Sequence, residues 1–184
     1  MVKKLVVNEE IEKLIDICKS DSKICGYKLR DAHYNLGKYL GKFIINNEDI
    51  ENKKIAVIAM MRAGLMFALG IAKSLEENND VDFIFSNQDE LNLNEYDQII
   101  IADAVINSGK TIFKFIENNN LSNVIIATNV LSNKNIELFD KINLYTVRIS
   151  EHSYIGTKEK IIRNGKGPDT GDRLFSSMFY IENK

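Results

Sequence analysis

The feature that most constrains the fold is a repeated change of hydrophobic period through the middle of the chain. Short, nearly unbroken apolar runs occur at Lys54 to Met60, Gln98 to Ala102, Val124 to Val130 and Leu144 to Ile149. Between them, Ala63 to Leu75, Ser108 to Asn118 and Lys134 to Asp140 read as helices. Runs that are apolar on both faces belong to strands covered on both sides. The alternation therefore predicts an α/β three-layer sandwich around a mostly parallel sheet. Val81 to Phe85 also reads as a strand, but a polar segment with no clear helix joins it to Gln98, so one antiparallel edge strand is expected there. Two helices precede the sheet. Asn8 caps the first, which carries Ile11, Leu14, Ile15 and Cys18, and residues 27–45 form the second, with Leu29, Ala32, Leu36, Leu40 and Phe43 on one face. A chain of 184 residues, 45% hydrophobic and without repeats, has material for one core and fits one domain. Within it, 1–50 is an N-terminal helical segment, 51–150 the core and 151–184 a C-terminal segment.

Several function classes fall away. A net charge of -2 gives no basic footprint for nucleic acid. The longest apolar stretch, Met60 to Ala72, contains Arg62 and is too short for a bilayer. Acidic, helix-like sequence follows Met1 to Lys4 where a signal peptide would have its apolar core, so a cytoplasmic location without a membrane partner is expected. Cys18, Cys25, His33 and His152 have neither metal-site nor redox-pair spacing.

Ligands of such sheets sit beyond the carboxyl ends of the strands, and three segments occur at those places. The first is Asp103-Ala104-Val105-Ile106-Asn107-Ser108-Gly109-Lys110-Thr111, a loop leading from an apolar strand into a helix. Its backbone N–H groups from Ser108 to Thr111, two hydroxyls and the helix dipole suit a phosphate. Gly109 allows close backbone approach. Asp103, leaving the strand end, offers an acceptor-only carboxylate for sugar hydroxyls. A nucleoside-triphosphate P-loop would need glycine where Ala104 stands, and a generic capped helix after a strand is the plainer alternative. The second segment is Met61-Arg62-Ala63-Gly64-Leu65, in which an arginine fork on a strand-to-helix turn suits a pair of diphosphate oxygens. A solvated arginine at a helix start is its bland counterpart. The third is Gly167-Pro168-Asp169-Thr170-Gly171-Asp172-Arg173, a shaped loop able to meet the edge of a planar base, or else a surface turn feeding a C-terminal helix.

Together these segments resemble the uracil phosphoribosyltransferases, enzymes of the type I phosphoribosyltransferase fold. Ile99 to Thr111 is similar to the family's 5-phosphoribosyl 1-diphosphate (PRPP) motif, and Ala104 in place of a second acid agrees with the uracil-specific branch. Met61 to Leu65 resembles the diphosphate loop and Gly167 to Arg173 the uracil loop. Leu29-Arg30-Asp31, Leu36-Gly37 and Leu144-Tyr145-Thr146 extend the likeness. The resemblance implies transfer of a phosphoribosyl group from PRPP to uracil, with Mg²⁺, in a homodimer. Arg62, Asp103 and Asp169 would be the catalytic residues. PRPP would lie against Arg62, Ala63, Gly64, Asp169 and the run from Asp103 to Thr111. Pro168, Asp169 and Thr170 would border the base, and Asp169 would face the metal or ribose while Asp172 and Arg173 brace the loop. The pattern departs from the family in three ways. Pro168 lacks an N–H, Ile162-Arg163-Asn164-Gly165 replaces the usual run before the loop, and Phe85-Ser86-Asn87-Gln88 lacks the arginine of the family's hairpin. These leave open another nucleobase, or a non-catalytic binder of PRPP or nucleotide on the same fold.

Overall fold

A computed structural model of the chain describes residues 1–88, 91–151 and 168–177. Six strands form one sheet in the order β1-β6-β5-β4-β2-β3, and every pair is parallel. The strands are β1 (Val2–Lys4), β2 (Lys54–Ala59), β3 (Asp80–Phe85), β4 (Gln98–Ile106), β5 (Val124–Ser132) and β6 (Asn143–Ser150). The helices are α1 (Glu9–Cys18), α2 (Tyr27–Ile45), α3 (Leu65–Leu75), α4 (Lys110–Asn118) and α5 (Thr170–Phe175), with 3-10 turns at Ser20–Ser22 and Asn133–Phe139. Every residue of β5 is buried, as expected of a parallel strand covered on both faces.

The two faces of the sheet are covered differently. α1, α2 and α3 pack on one, burying Ile11, Leu29, Leu36, Leu40, Phe67 and Ile71 against Ile55, Val57, Ile100 and Ile125. Asn8 starts α1 by accepting the Ile11 N–H at 2.9 Å. α2 and α3 touch through their backbones: a Cβ at Gly37 would collide with the Phe67 carbonyl, and one at Gly70 with the Tyr34 carbonyl. The other face is closed by α4, the 3-10 turn at Asn133–Phe139 and Leu93, over Ala56, Ile58, Ile101 and Ile126.

The expected antiparallel edge strand is not found. β3 runs parallel to β2, with Lys54 opposite Asp80 and Ala59 opposite Phe85. The reason is which connection sets the direction. β3 follows β2 through α3, a crossover unit that yields parallel strands. The polar segment comes after β3 and leads to β4 on the far side of β2, packing Leu91, Leu93 and Tyr96 on the second core on its way. The short strand β1 at the sheet edge was not anticipated, because three residues carry no readable period. The third and fourth apolar runs form β5 and β6, each ending slightly later than the sequence suggested. No described helix is long and apolar enough to cross a membrane. The sequence at 162–165 lies outside the described residues.

Candidate active site

The three segments singled out in the sequence line one cleft at the carboxyl ends of β2 and β4. Its volume is about 410 Å³, and its walls include Met60 to Ala63, Asp103, Val105, Asn107, Thr111 and Pro168 to Gly171. The opening follows from strand length. Pairing of β2 with β4 ends at Ala59 and Ala102, while β4 continues to Ile106 along β5. Asp103 is thus inside a strand, not beyond its end as the sequence suggested. A smaller recess of about 270 Å³, bounded by Asp103, Val105 and residues 106–112, adjoins the cleft through shared walls.

That recess is shaped by the start of α4. Gly109 sits at the N-cap with φ +68°, and no side chain caps the helix. The amides of its first turn therefore remain for a ligand. A side chain at Gly109 would be strained by that φ and would press on the stacked rings of Phe113 and Phe139. Asn107, Ser108, Lys110 and Thr111 surround the recess. Ala104 does not: it is fully buried and lines neither cavity.

Asp103 receives the backbone N–H groups of Val105 and Ala104. Burial nevertheless dominates and pushes its carboxyl up to about 7.

Arg62 follows a cis Met61–Arg62 peptide. Its Nη2 donates to Asp172 Oδ1 at 2.9 Å and its Nη1 to Ser177 Oγ at 3.1 Å. Ser177 Oγ also donates to Asp172 Oδ1 at 2.8 Å. Desolvation alone would raise the Asp172 carboxyl; its bonds from Ser177, Arg62 and the Asp169 amide outweigh that and hold it below the usual range. Gly64 lines neither cavity. It serves as a spacer, because a Cβ there would strike the Ala102 and Met60 carbonyls.

Pro168 is buried, Thr170 half-buried and Asp169 exposed on the cleft wall. Asp169 has a second task that the sequence did not reveal. It is the N-cap of α5, accepting the Asp172 N–H at 2.7 Å, while Asp172 Oδ2 accepts the Asp169 N–H at 3.3 Å. This reciprocal box uses one Asp169 oxygen. Among the described residues no group of three His, Cys, Asp or Glu side chains could hold a metal ion. Arg173 is buried and donates to the carbonyls of Cys18, Lys19 and Ile24 and to Ser22 Oγ. Ser20, from the turn beside it, is a cleft residue that sequence reasoning missed. Between β3 and β4 no hairpin occurs among the described residues.

A parallel α/β sandwich with an amide-lined recess, an acidic strand residue and an arginine turn at the strand ends defines a protein of the type I phosphoribosyltransferase class. The uracil phosphoribosyltransferase family model matches residues 32–177, and the chain belongs to that family. No curated protein matches the chain. Among solved structures, the AQ2163 protein from Aquifex aeolicus is similar at a TM-score of 0.66 and 14% identity, covering 98% of this chain and 100% of its own. Hypoxanthine-guanine phosphoribosyltransferase from Schistosoma mansoni in complex with IMP superposes less well. Its TM-score is 0.49 at 14% identity, covering 64% of this chain and 66% of its own.

Proposed function

We propose that the chain transfers the phosphoribosyl group of PRPP to uracil, forming uridine 5′-monophosphate and diphosphate. What supports this reading above all is the convergence of Arg62, Asp103, Thr111 and Thr170 on one cleft, from three distant stretches of sequence. In this reading the amides of Ser108 to Thr111 and the Ser108 and Thr111 hydroxyls hold the 5′-phosphate. Asp103 accepts from the ribose hydroxyls. Arg62 leaves Asp172 for the diphosphate, whose negative charge grows as the bond from C1 to its oxygen breaks. Uracil N1 forms the new bond to C1, and the N1 proton leaves to solvent. Mg²⁺ enters with PRPP as part of the substrate, and the second carboxylate oxygen of Asp169 faces it or the ribose. Pro168 and Thr170 border the base. The protein's work is positioning and charge stabilisation, and no residue is assigned as a general base. A homodimer, implied by the family, is tested by light scattering.

The buried Pro168 in the cleft wall favours a second reading, the same transfer to another nucleobase, since it offers no N–H to the base. One assay tests both. Purified protein is incubated with PRPP, Mg²⁺ and each of the common nucleobases, and products are separated by chromatography. Uridine 5′-monophosphate with stoichiometric diphosphate is expected. A nucleotide from a different base selects the second reading, and no nucleotide from any base leaves only a non-catalytic binder.

A further inference from the structure

Arg62 lies on the cleft wall, yet both of its terminal nitrogens are turned to the two ends of α5. Nη2 donates to Asp172 Oδ1 at 2.9 Å, and Nη1 to Ser177 Oγ, just past the helix C-cap, at 3.1 Å. An arginine grips a pair of anionic oxygens with parallel N–H groups of its fork. Here the end-on grip is already taken from within the chain. Neither Asp172 nor Ser177 lines the cleft, so both act on a ligand there through Arg62. The acceptor is built independently of the arginine. Asp172 Oδ1 also accepts from Ser177 Oγ at 2.8 Å, and its Oδ2 accepts the Asp169 N–H at 3.3 Å. The Asp172 N–H donates to Asp169 Oδ1 at 2.7 Å, and the Ser177 N–H to Asp172 O at 3.2 Å. Asp172 therefore keeps donors of its own when Arg62 departs. Half of the Arg62 side chain is exposed, against 18% of Asp172. The carboxylate is the fixed partner and the arginine the one with room to swing.

We propose that Asp172 is a positioning residue that withholds Arg62 from the empty cleft, so that diphosphate must displace a carboxylate belonging to the protein. The inference deepens the phosphoribosyl-transfer reading and rests on it. Its chemistry is a competition of like for like. Carboxylate and diphosphate oxygens are both anionic acceptors, and they seek the same N–H groups. A half-exposed ion pair is weak enough for a more highly charged anion to break. The competition weakens PRPP and the departing diphosphate alike, and Arg62 returns to Asp172 as the product leaves. A carboxylate that merely braced Arg62 toward the ligand would have the opposite effect, since its removal would weaken the anion.

The test is a double-mutant cycle read by calorimetry. Inorganic diphosphate and, separately, ribose 5-phosphate are titrated into wild type, Asp172→Asn, Arg62→Ala and the double variant. Asparagine keeps an oxygen for the Asp169 N–H and loses the charge. Asp172→Gln, whose side chain also closes a capping box, replaces it if the asparagine variant fails to fold. Asp172→Asn should tighten diphosphate about three-fold, the scale of one exposed ion pair, and leave ribose 5-phosphate unchanged. Arg62→Ala should weaken diphosphate about ten-fold, and adding Asp172→Asn to it should restore nothing. Diphosphate bound equally or more weakly by Asp172→Asn than by wild type overturns the inference alone. So does the same gain in the Arg62→Ala background, which would assign the effect to the general loss of a negative charge. Equal diphosphate affinity in Arg62→Ala and wild type, or binding in neither, overturns the role of Arg62 in the phosphoribosyl reading, and this inference with it.

Discussion

Burial pushes the Asp103 carboxyl from an ordinary 3.8 up to about 7, which sets its effect on folding against the ribose-binding role proposed for it. Between those values the folded chain holds a proton that the unfolded chain has lost. The stability this group contributes is full below about 3.8 and is lost as pH rises through about 7. Asp103→Asn removes the cost of a buried charge. It should stabilise the protein by about 1–2 kcal/mol at pH 8, discounted for water reaching the cleft, and by almost nothing near pH 4. Urea denaturation at the two pH values checks this, and a gain independent of pH would contradict it. The same variant should bind PRPP more weakly, having lost a charged acceptor. Arg62 presents the opposite case. Its ion pair with Asp172 leaves half of the arginine side chain exposed, so Arg62→Ala should cost less than about 1 kcal/mol of stability. If Arg62 meets charge developing on diphosphate, turnover should fall about 10²-fold with a smaller loss of PRPP affinity. Steady-state kinetics beside calorimetry separate the two, and equal losses would make Arg62 a plain binding residue.

The element whose behaviour the structure changes most is α5. The sequence divides its two aspartates, Asp169 to the ligand and Asp172 to the loop, whereas the structure joins them in one capping box. Either alanine substitution should therefore destabilise by about 1 kcal/mol. Asp169→Ser separates the roles, because serine caps a helix without a charge. It should return the melting temperature close to wild type and still fail to transfer phosphoribose. Recovery of activity in Asp169→Ser would confine Asp169 to capping. The box and the Ser20 turn mark where the sequence stops being legible. Arg62, Asp103 and Thr111 stand in segments whose residue types announce their chemistry. Arg173 does not, since its partners are mainly backbone carbonyls that any residue supplies. Ser20 lines the cleft from a turn whose neighbouring carbonyls that clamp holds. β3 was legible as a strand but not in direction, because the direction was set by the helix before it and not by the polar segment after it.

At the scale of the whole molecule, the parallel sheet turns sequence order into a site. Each β-to-α passage in β2–α3 and β4–α4 emerges at the same edge of the sheet, and the overrun of β4 past its pairing with β2 leaves room for a ligand between them. α5 closes the far wall through Arg62–Asp172 and the Arg173 anchor. Convergence of these parts on a single phosphoribosyl ligand is the central claim. The most direct measurement is a crystal structure of the protein soaked with PRPP and Mg²⁺. The 5′-phosphate should lie on the amides of Ser108 to Thr111, the ribose hydroxyls against Asp103, and the diphosphate on an Arg62 turned away from Asp172. PRPP bound outside this cleft, or bound within it with Arg62 still paired to Asp172 and Asp103 out of reach of the ribose, would contradict the account.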